Sequence, residues 1–244
     1  MTHPVTQFIW KIIKNRRTPT DVFQYYEYQR HNQRRLEHLA SLGLNIAGNK
    51  VLEVGAGIGD HTSFFLDRHC DVVSTDARQD NLAILKSRYP NIQVRHLNMD
   101  DPDLVWDELF DIVYCYGLLY HLEKPAQGLE YLARYCRGIL LLESVVSFGN
   151  TEVVNPCKED ASDPSQSFSG HGCRPTRIWI YNQLKSHFEF VYLPLTQPNH
   201  DEFPIAWNVP PADNKFSRAV FIASRQPLIN QLLTEDIPIY QRRH

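Results

Sequence analysis

The sequence predicts an α/β protein with a doubly wound, mostly parallel β-sheet. Short apolar runs alternate with helical patterns through residues 50–143, an order typical of parallel strands that helices cover on both faces. The last two apolar runs, 188–193 and 217–224, have no helical pattern between them, so we expect those two strands to pair antiparallel.

Each element follows from its local pattern. The first predicted helix is 18–42, where apolar residues recur at helical spacing and Thr18 or Thr20 can cap the first turn. Strands are expected where short runs are rich in Val, Ile and Leu. The further predicted helices are 60–68, 79–89, 125–136 and 176–187, and the further predicted strands are 51–54, 71–75, 92–97, 110–116 and 139–143.

The chain divides into a cover, a main domain and a lid. Residues 1–49 are expected to form an N-terminal helical cover, and residues 50–244 the main domain. The segment 147–177 interrupts the alternation and is rich in Ser, Asp, Gly and Pro, which predicts a lid because long irregular connections are usually functional or mobile. Residues 8–13 could contact a membrane surface or form a homodimer, although packing on the domain is the favoured interpretation.

Composition excludes several classes of protein. The 244 residues contain 25 Lys and Arg against 28 Asp and Glu, a net charge of −3 that makes nucleic acid an unlikely partner. No apolar run approaches the ~20 residues of a membrane span. The five cysteines, an odd number, favour reduced thiols and a cytoplasmic protein over a disulfide framework.

A glycine-rich turn follows the first predicted strand and opens a helix. Its pattern is E-x-G-x-G-x-G, formed by Glu53, Gly55, Gly57 and Gly59. Glycines there allow a tight turn and a close approach of ligand to backbone. A dinucleotide fingerprint would need its third glycine at Asp60, and acidic residues at this helix end favour a ligand with an ammonium group over a pyrophosphate. The alternative is a tight turn without a ligand.

An acidic residue, Asp76, ends the second predicted strand. A carboxylate in this position can accept hydrogen bonds from both hydroxyls of a ribose. The alternative is that Asp76 caps the following helix, a role that Asp80 could also fill. The order of the glycine turn and then the acid favours the ligand interpretation.

Together with residues 110–117 (FDIVYCYG), these motifs resemble the class I S-adenosylmethionine-dependent methyltransferases over about residues 50–143. The resemblance implies a Rossmann-like sheet of seven strands in the order 3-2-1-4-5-7-6, with an antiparallel last strand. It implies S-adenosyl-L-methionine as cofactor. The residues implied to bind this cofactor are Glu53, Gly55, Gly57, Gly59, Asp76, Asn98, Met99, Tyr116 and Gly117.

The resemblance also implies which part of the cofactor each of these residues contacts. The three glycines would face the methionine part, Glu53 would order the turn or meet the amino group, and Asp76 would bind the ribose. Asn98 stands where the family often has an acid that meets adenine, which leaves Asn98 and Asp100 as alternatives.

A second resemblance lies just after the fourth predicted strand. Residues 119–122 (LYHL) resemble a stretch found in small-molecule and some RNA-modifying methyltransferases. Methyl transfer mainly requires alignment, and a hydroxyl acceptor also benefits from a base. His121 can take a proton near neutral pH, so we expect it to act as that base or to hold the loop beside the cofactor. Tyr120 is expected to contact the acceptor.

The lid carries the most distinctive polar residues outside the cofactor motifs. His171, Arg174 and Arg177 are expected to bind a polar or anionic acceptor, and Tyr28 is a further candidate from the N-terminal helix. The alternative is that the arginines pair with local acids, such as Glu159, Asp160 or Asp163.

The sequence therefore predicts an S-adenosylmethionine-dependent methyltransferase that O-methylates a small polar acceptor: a sugar, a carboxylate or a natural-product hydroxyl. No metal is expected, because Glu143 alone cannot hold a hard cation and Cys157, His171 and Cys173 lack a fourth ligand at customary spacing. The alternatives are an RNA-modifying methyltransferase or related transferase, and a non-catalytic S-adenosylmethionine-binding protein.

Overall fold

The computed structural model describes residues 18–210 and 216–244, so residues 8–13 and the contacts predicted for them lie outside the described residues. The helices are α1 Pro19–Phe23, α2 Tyr26–Ser41, α3 Thr62–Leu66, α4 Gln79–Arg88, α5 Pro125–Tyr135 and α6 Arg177–His187. The strands are β1 Lys50–Val54, β2 Asp71–Asp76, β3 Gln93–His96, β4 Phe110–Tyr116, β5 Cys136–Val146, β6 Pro156–Lys158, β7 His171–Cys173, β8 Phe190–Pro194, β9 Thr196–Gln197, β10 Ser217–Ser224, β11 Leu233–Thr234 and β12 Arg242–Arg243.

The main sheet confirms the predicted α/β class and the predicted strand order. Its order is β3-β2-β1-β4-β5-β10-β8-β11, and β10 is antiparallel to both β5 and β8. The first seven positions therefore reproduce the order 3-2-1-4-5-7-6. The prediction of seven strands is one short, because the C-terminal segment returns to the edge and adds the two-residue strand β11 against β8.

The central strands β1, β4 and β5 read as apolar runs because both of their faces are covered. On one face, Val113 and Leu140 pack in a cluster with Leu129 of α5 and Ile180 of α6. On the other face, a second cluster contains Leu39 of α2. This burial fixes the sheet and thereby the positions of its carboxyl ends.

The first helix, strand β5 and the lid depart most from the prediction. The helix predicted at 18–42 breaks at Gln24 and Tyr25, and Thr18 and Asp21 form a capping box at the start of α1. Strand β5 extends beyond both ends of the predicted 139–143. The lid contains an antiparallel hairpin, β6–β7, which the sequence pattern did not indicate because each strand has only three residues.

None of the helices in residues 18–210 and 216–244 combines the length and the apolar character that crossing a membrane requires.

Candidate active site

A cavity of about 260 Å³ lies at the carboxyl ends of β1, β2 and β4. Open α/β sheets bind ligands at this edge, where the strand order reverses. The wall is formed by the glycine turn with the ends of β2 and β3, the turn after β4, the lid, the N-terminal helices, and the neighbouring ends of β5 and β10. The sequence-predicted residues that line it are Tyr28, Gly55, Gly57, Asp76, Asn98, Met99, Tyr116, Gly117, Tyr120, His121 and Arg174.

The glycine turn approaches the cavity through Gly55 and Gly57. Both have positive φ angles, +71° and +57°, which favour glycine. A Cβ atom on Gly55 would lie 3.0 Å from the Leu118 side chain, and one on Gly57 would lie 3.1 Å from the ring of Phe23. The turn therefore leaves space for a ligand only while these positions lack side chains.

The third glycine of the motif has a different role from the predicted one. Gly59 does not line the cavity; a Cβ atom there would overlap Leu85 and lie 2.8 Å from the Tyr89 ring. Its N–H donates to the carbonyl of Ala56 at 2.9 Å. Gly59 thus allows α4 to pack closely against the turn and does not face the ligand site, which corrects the prediction.

Asp76 joins the turn to the next loop. Its carboxylate accepts hydrogen bonds from the backbone N–H groups of Gly57 and Arg78, both at 2.9 Å, and from the Asn81 amide at 3.1 Å. Burial raises the pKa of Asp76, and these three donors oppose that rise. The residue therefore caps the following turn and faces the cavity at the same time, so the two interpretations of Asp76 are compatible.

Glu53 lies beneath the glycine turn. Its Oε2 accepts hydrogen bonds from the hydroxyls of Thr62, at 2.6 Å, and Ser74, at 2.7 Å, and thereby holds the start of α3 to β2. Burial raises the pKa of Glu53 to about 7 against the opposing effect of these two hydroxyls. The contacts are those of a residue that orders the turn.

A smaller pocket of about 30 Å³ adjoins the glycine turn and includes Glu53 in its wall. It is also lined by Arg35, His61 and Tyr116. Within the described residues, Arg35 Nε, His61 Nε2 and Tyr116 Oη are buried without a hydrogen-bond partner. Buried polar atoms normally have partners, so this pocket is suited to receive a polar group of a ligand.

The loop after β3 also lines the cavity. Asn98 Oδ1 accepts the backbone N–H of Asp100 at 3.1 Å. Asp100 Oδ1 in turn accepts the backbone N–H groups of Glu123 and Lys124, at 2.8 and 3.0 Å. Asn98, Met99 and Asp100 all line the cavity, so Asn98 and Asp100 both stay predictions for the adenine contact.

His121 and Glu159 form a hydrogen-bonded pair at the cavity wall. His121 Nδ1 bonds to Glu159 Oε2, and the carboxylate is the acceptor, so Nδ1 carries the proton. Burial lowers the pKa of His121, and Glu159 opposes that fall. Burial raises the pKa of Glu159, but hydrogen bonds, above all with His121, outweigh burial and lower it to about 2. The sequence pattern suggested Glu159 only as a partner for an arginine, since 38 residues separate it from His121.

A buried charge cluster supports the acceptor side of the cavity. Glu143 is fully buried and pairs with Arg35 at 2.5 Å and with Arg218 at 3.2 Å. Arg218 also pairs with Glu202 at 2.6 Å and lies 3.3 Å from the Tyr120 hydroxyl. The sequence pattern did not indicate Arg218 or the pairing of either arginine with Glu143; the available signal was the carboxylate of Glu143 at the end of a leucine-rich predicted strand.

Arg174 fits both sequence interpretations. It lines the cavity, and its Nη2 pairs with Glu159 Oε1 at 3.0 Å. Its Nη1 donates to the carbonyl of Tyr120 at 3.2 Å, and its guanidinium lies over the rings of Tyr120 and Phe216, 5.4 and 5.3 Å from their centroids. Arg174 therefore forms part of the cavity wall, and its charge is paired with that of Glu159.

Two predicted acceptor-binding residues are elsewhere. Arg177 is 1% exposed and donates to the carbonyls of Ala206 and Trp207, at 3.0 and 2.6 Å, and burial lowers its pKa to about 9. His171 is an exposed residue of β7 that does not line the cavity. Neither is placed to bind the acceptor, because the chain turns away from the cavity on both sides of Arg174.

The cysteines are all free thiols, and four of the five are buried. Across residues 18–210 and 216–244, no group of three or more His, Cys, Asp or Glu side chains is arranged to hold a metal ion.

A mostly parallel sheet of this order, a glycine turn after β1 and a carboxylate at the end of β2 define a Rossmann-like, doubly wound protein. Residues 51–138 match the family model described as a methyltransferase domain. The chain is 29% identical over 143 residues to a probable S-adenosylmethionine-dependent methyltransferase of Mycolicibacterium smegmatis, covering 57% of this chain and 51% of that protein.

A second curated relative is the ubiquinone biosynthesis O-methyltransferase of Psychrobacter arcticus, 30% identical over 96 residues and 37% of each chain. The chain thus spans about half, or less, of the length of these relatives.

Among solved structures, the N-terminal domain of EvdMO1 in the presence of SAH and D-fucose matches with a TM-score of 0.60 and 18% identity, over 80% of this chain and 82% of that chain. An S-adenosylmethionine-dependent methyltransferase from Mesorhizobium loti matches with a TM-score of 0.56 and 15% identity, over 79% of this chain and 98% of that chain. The family model, the curated relatives and the solved structures together support a class I S-adenosylmethionine-dependent methyltransferase.

Proposed function

We propose that this protein transfers a methyl group from S-adenosylmethionine to a hydroxyl of a small, uncharged polar acceptor. The observation that carries the proposal is the cavity itself, which has Asp76 and the glycine turn on one side and the His121–Glu159 pair on the other. A nucleotide-binding half and an acid–base half in one cavity are what such a transfer requires.

The described residues fit the cofactor. Asp76 has the position to accept the ribose hydroxyls, and Gly55 and Gly57 leave the backbone open to the methionine part. The three unpartnered polar atoms of the smaller pocket, Arg35 Nε, His61 Nε2 and Tyr116 Oη, would meet its polar end. When bound, this group supplies a methyl carbon on a positively charged sulfur, which an oxygen nucleophile can attack in line.

His121 is the base that accepts the proton of the acceptor hydroxyl in this proposal. With Nδ1 bonded to Glu159, the remaining ring nitrogen, Nε2, is the one that can accept a proton from the acceptor hydroxyl as the new O–CH₃ bond forms. Burial keeps the pKa of His121 below its ordinary value, so the neutral form predominates at neutral pH. The imidazole is thus in the protonation state that a base needs.

The charges on the acceptor side favour a neutral hydroxyl over a carboxylate or phosphate. Arg174 is paired with Glu159, and Arg218 lies between Glu143 and Glu202. An anionic acceptor would have to compete with these carboxylates. Support for a hydroxyl acceptor such as a sugar comes from the D-fucose named with the EvdMO1 structure and from the O-methyltransferase name of the Psychrobacter relative.

The test is methyl transfer from isotope-labelled S-adenosylmethionine to a panel of sugars, phenols, small carboxylates and RNA oligonucleotides. We expect labelled ether products from at least one sugar or phenol, and no transfer to RNA. His121→Ala should lower turnover by ~10²–10⁴-fold, the usual contribution of a positioned base. Transfer only to RNA or only to carboxylates would contradict the proposed acceptor, and an unaffected His121→Ala would contradict the base.

A further inference from the structure

Glu159 is a buried carboxylate of the lid. Its side chain is 1% exposed, although the flanking lid residues Lys158 and Asp160 are exposed. Three donors converge on it: His121 Nδ1, Arg174 Nη2 at 3.0 Å and the backbone N–H of Ser167 at 2.8 Å. A carboxylate with this set of donors is held in one orientation.

The lid hairpin is built to bring Glu159 to His121. Gly172 of β7 lies directly against the turn after β4, where a Cβ atom would be 2.6 Å from the carbonyl oxygen of Tyr120 and 2.9 Å from the Glu159 carboxyl. The backbone N–H of Glu159 donates to the carbonyl of Gly170 at 2.9 Å, which closes the hairpin behind it. Only a residue without a side chain at 172 permits this approach.

The same lid is tied to the cofactor side of the cavity. Arg78, two residues after Asp76, donates through Nη2 to the carbonyls of Ala161, Gln166 and Ser167, at 3.1, 3.2 and 3.0 Å. These three carbonyls follow Glu159 along the lid. The position of Glu159 is therefore fixed from both sides of the cavity.

We propose that Glu159 is the positioning residue for His121, and that the base is assembled only when the lid hairpin is docked. This inference rests on the proposed function. Glu159 holds the Nδ1–H tautomer, directs Nε2 to the acceptor hydroxyl and stabilises the imidazolium that forms when the hydroxyl proton moves to Nε2. When the lid opens, the pair separates, and the imidazolium can release its proton to solvent.

The charges around His121 make the proposal measurable. Glu159 raises the pKa of His121, whereas Arg174 on the lid and Arg218 on β10 lower it, as does burial. The acid limb of kcat/KM reports the pKa of a base in the free enzyme. Removing the carboxylate should therefore move the acid limb to lower pH, and removing the Arg174 charge should move it to higher pH.

The experiment compares the pH profiles of kcat/KM for the full chain and its variants Glu159→Gln, Arg174→Gln and Asp160→Asn. Asp160→Asn is the matched control, because it removes one negative charge from an exposed neighbour whose carboxylate bonds, among the described residues, to Ser162 of the lid. We expect Glu159→Gln to lower kcat at least ~10-fold, since a base contributes ~10²–10⁴-fold, and to shift the acid limb down. Arg174→Gln should shift it up, and Asp160→Asn should match the wild type.

Thermal midpoints and S-adenosylhomocysteine affinity of each variant separate positioning from folding. An acid limb that stays at the wild-type pH in a folded, cofactor-binding Glu159→Gln protein would overturn the positioning role. If Glu159→Gln does not fold, Arg174→Gln decides alone: an unmoved or downward-shifted acid limb overturns the proposal. Absence of any methyl transfer by the wild type would instead reject the proposed function, so the two failures are distinguishable.

Discussion

The charge cluster around Glu143 should dominate the stability of the acceptor side. Glu143→Gln keeps the volume of the side chain and removes its charge. Arg218 retains Glu202 at 2.6 Å, but Arg35, which is 2% exposed, keeps only Asn32, at 3.1 Å, as a side-chain partner in the described part of the chain. The variant therefore leaves one buried guanidinium without a carboxylate.

The magnitude follows from this geometry. Removing one partner of a buried ion pair lowers the free energy of unfolding by about 3–5 kcal/mol. Because Arg218 keeps Glu202 as a partner, we expect a loss near the lower end of this range, about 3 kcal/mol. For a chain of this size each kcal/mol lowers the unfolding midpoint by roughly 2–4 °C, so the midpoint should fall by roughly 6–12 °C.

The assay is urea unfolding followed by fluorescence, with Glu202→Gln as the control. The Glu202 side chain is 28% exposed and Arg218 keeps Glu143, so this variant should cost no more than about 1 kcal/mol. Adding Arg35→Met to Glu143→Gln should recover part of the loss, since it removes the unpaired charge. Equal and small losses for the two glutamate variants would refute the reasoning.

Three further predictions concern packing, a corrected site residue and pH. Gly59→Ala should lower the free energy of unfolding by roughly 2–5 kcal/mol, because the backbone there is left-handed (φ +84°) and the new Cβ atom would overlap Leu85. The control Gly43→Ala, with φ +63° and open space, should show only the ~1–2 kcal/mol backbone cost. Equal losses of the two variants in urea unfolding would disprove the packing role of Gly59. Arg177→Met should lower the free energy of unfolding by roughly 1–3 kcal/mol, because it leaves buried carbonyls without a donor. The KM for the acceptor should stay within about twofold of the wild-type value, and a large rise in KM would show that Arg177 does bind the acceptor. Because the pKa of Glu53 in the folded protein is about 7 against an ordinary 4.5, ionisation of Glu53 destabilises the fold as the pH rises from 4.5 to 7. Between pH 4 and pH 8, the free energy of unfolding of Glu53→Gln should therefore increase by about 3 kcal/mol relative to that of the wild type. Parallel curves of stability against pH for the two proteins would contradict this.

Local patterns predicted the features that depend on neighbouring residues. The glycine turn and the acid at the end of β2 could be recognised because each lies within a few residues of a predicted strand. The spacing of the residues and their position just after a strand are both visible in the sequence. The order of the sheet followed from the resemblance, and the antiparallel pair followed from the missing helix between β8 and β10. The edge strand β11 has only two residues and carries no pattern of its own.

The acceptor side depended on contacts between distant parts of the chain. The residue pairs His121–Glu159 and Glu143–Arg35 are separated by 38 and 108 positions, and a single sequence contains no signal that joins them. Arg177 was wrongly assigned to the acceptor because a helix start rich in polar residues resembles a binding loop. Only the fold reveals that this guanidinium is buried against backbone carbonyls.

The most direct test of the central claim is calorimetric titration of S-adenosylhomocysteine into the wild type, Asp76→Ala and Asp71→Ala. Asp71 lies exposed at the opposite end of β2, so its variant should bind like the wild type. Each hydrogen bond from a ribose hydroxyl to a charged group contributes ~1.5–3 kcal/mol, so Asp76→Ala should weaken binding at least ~10-fold. Failure of the wild type to bind at millimolar concentration, or equal affinities for all three proteins, would contradict the account.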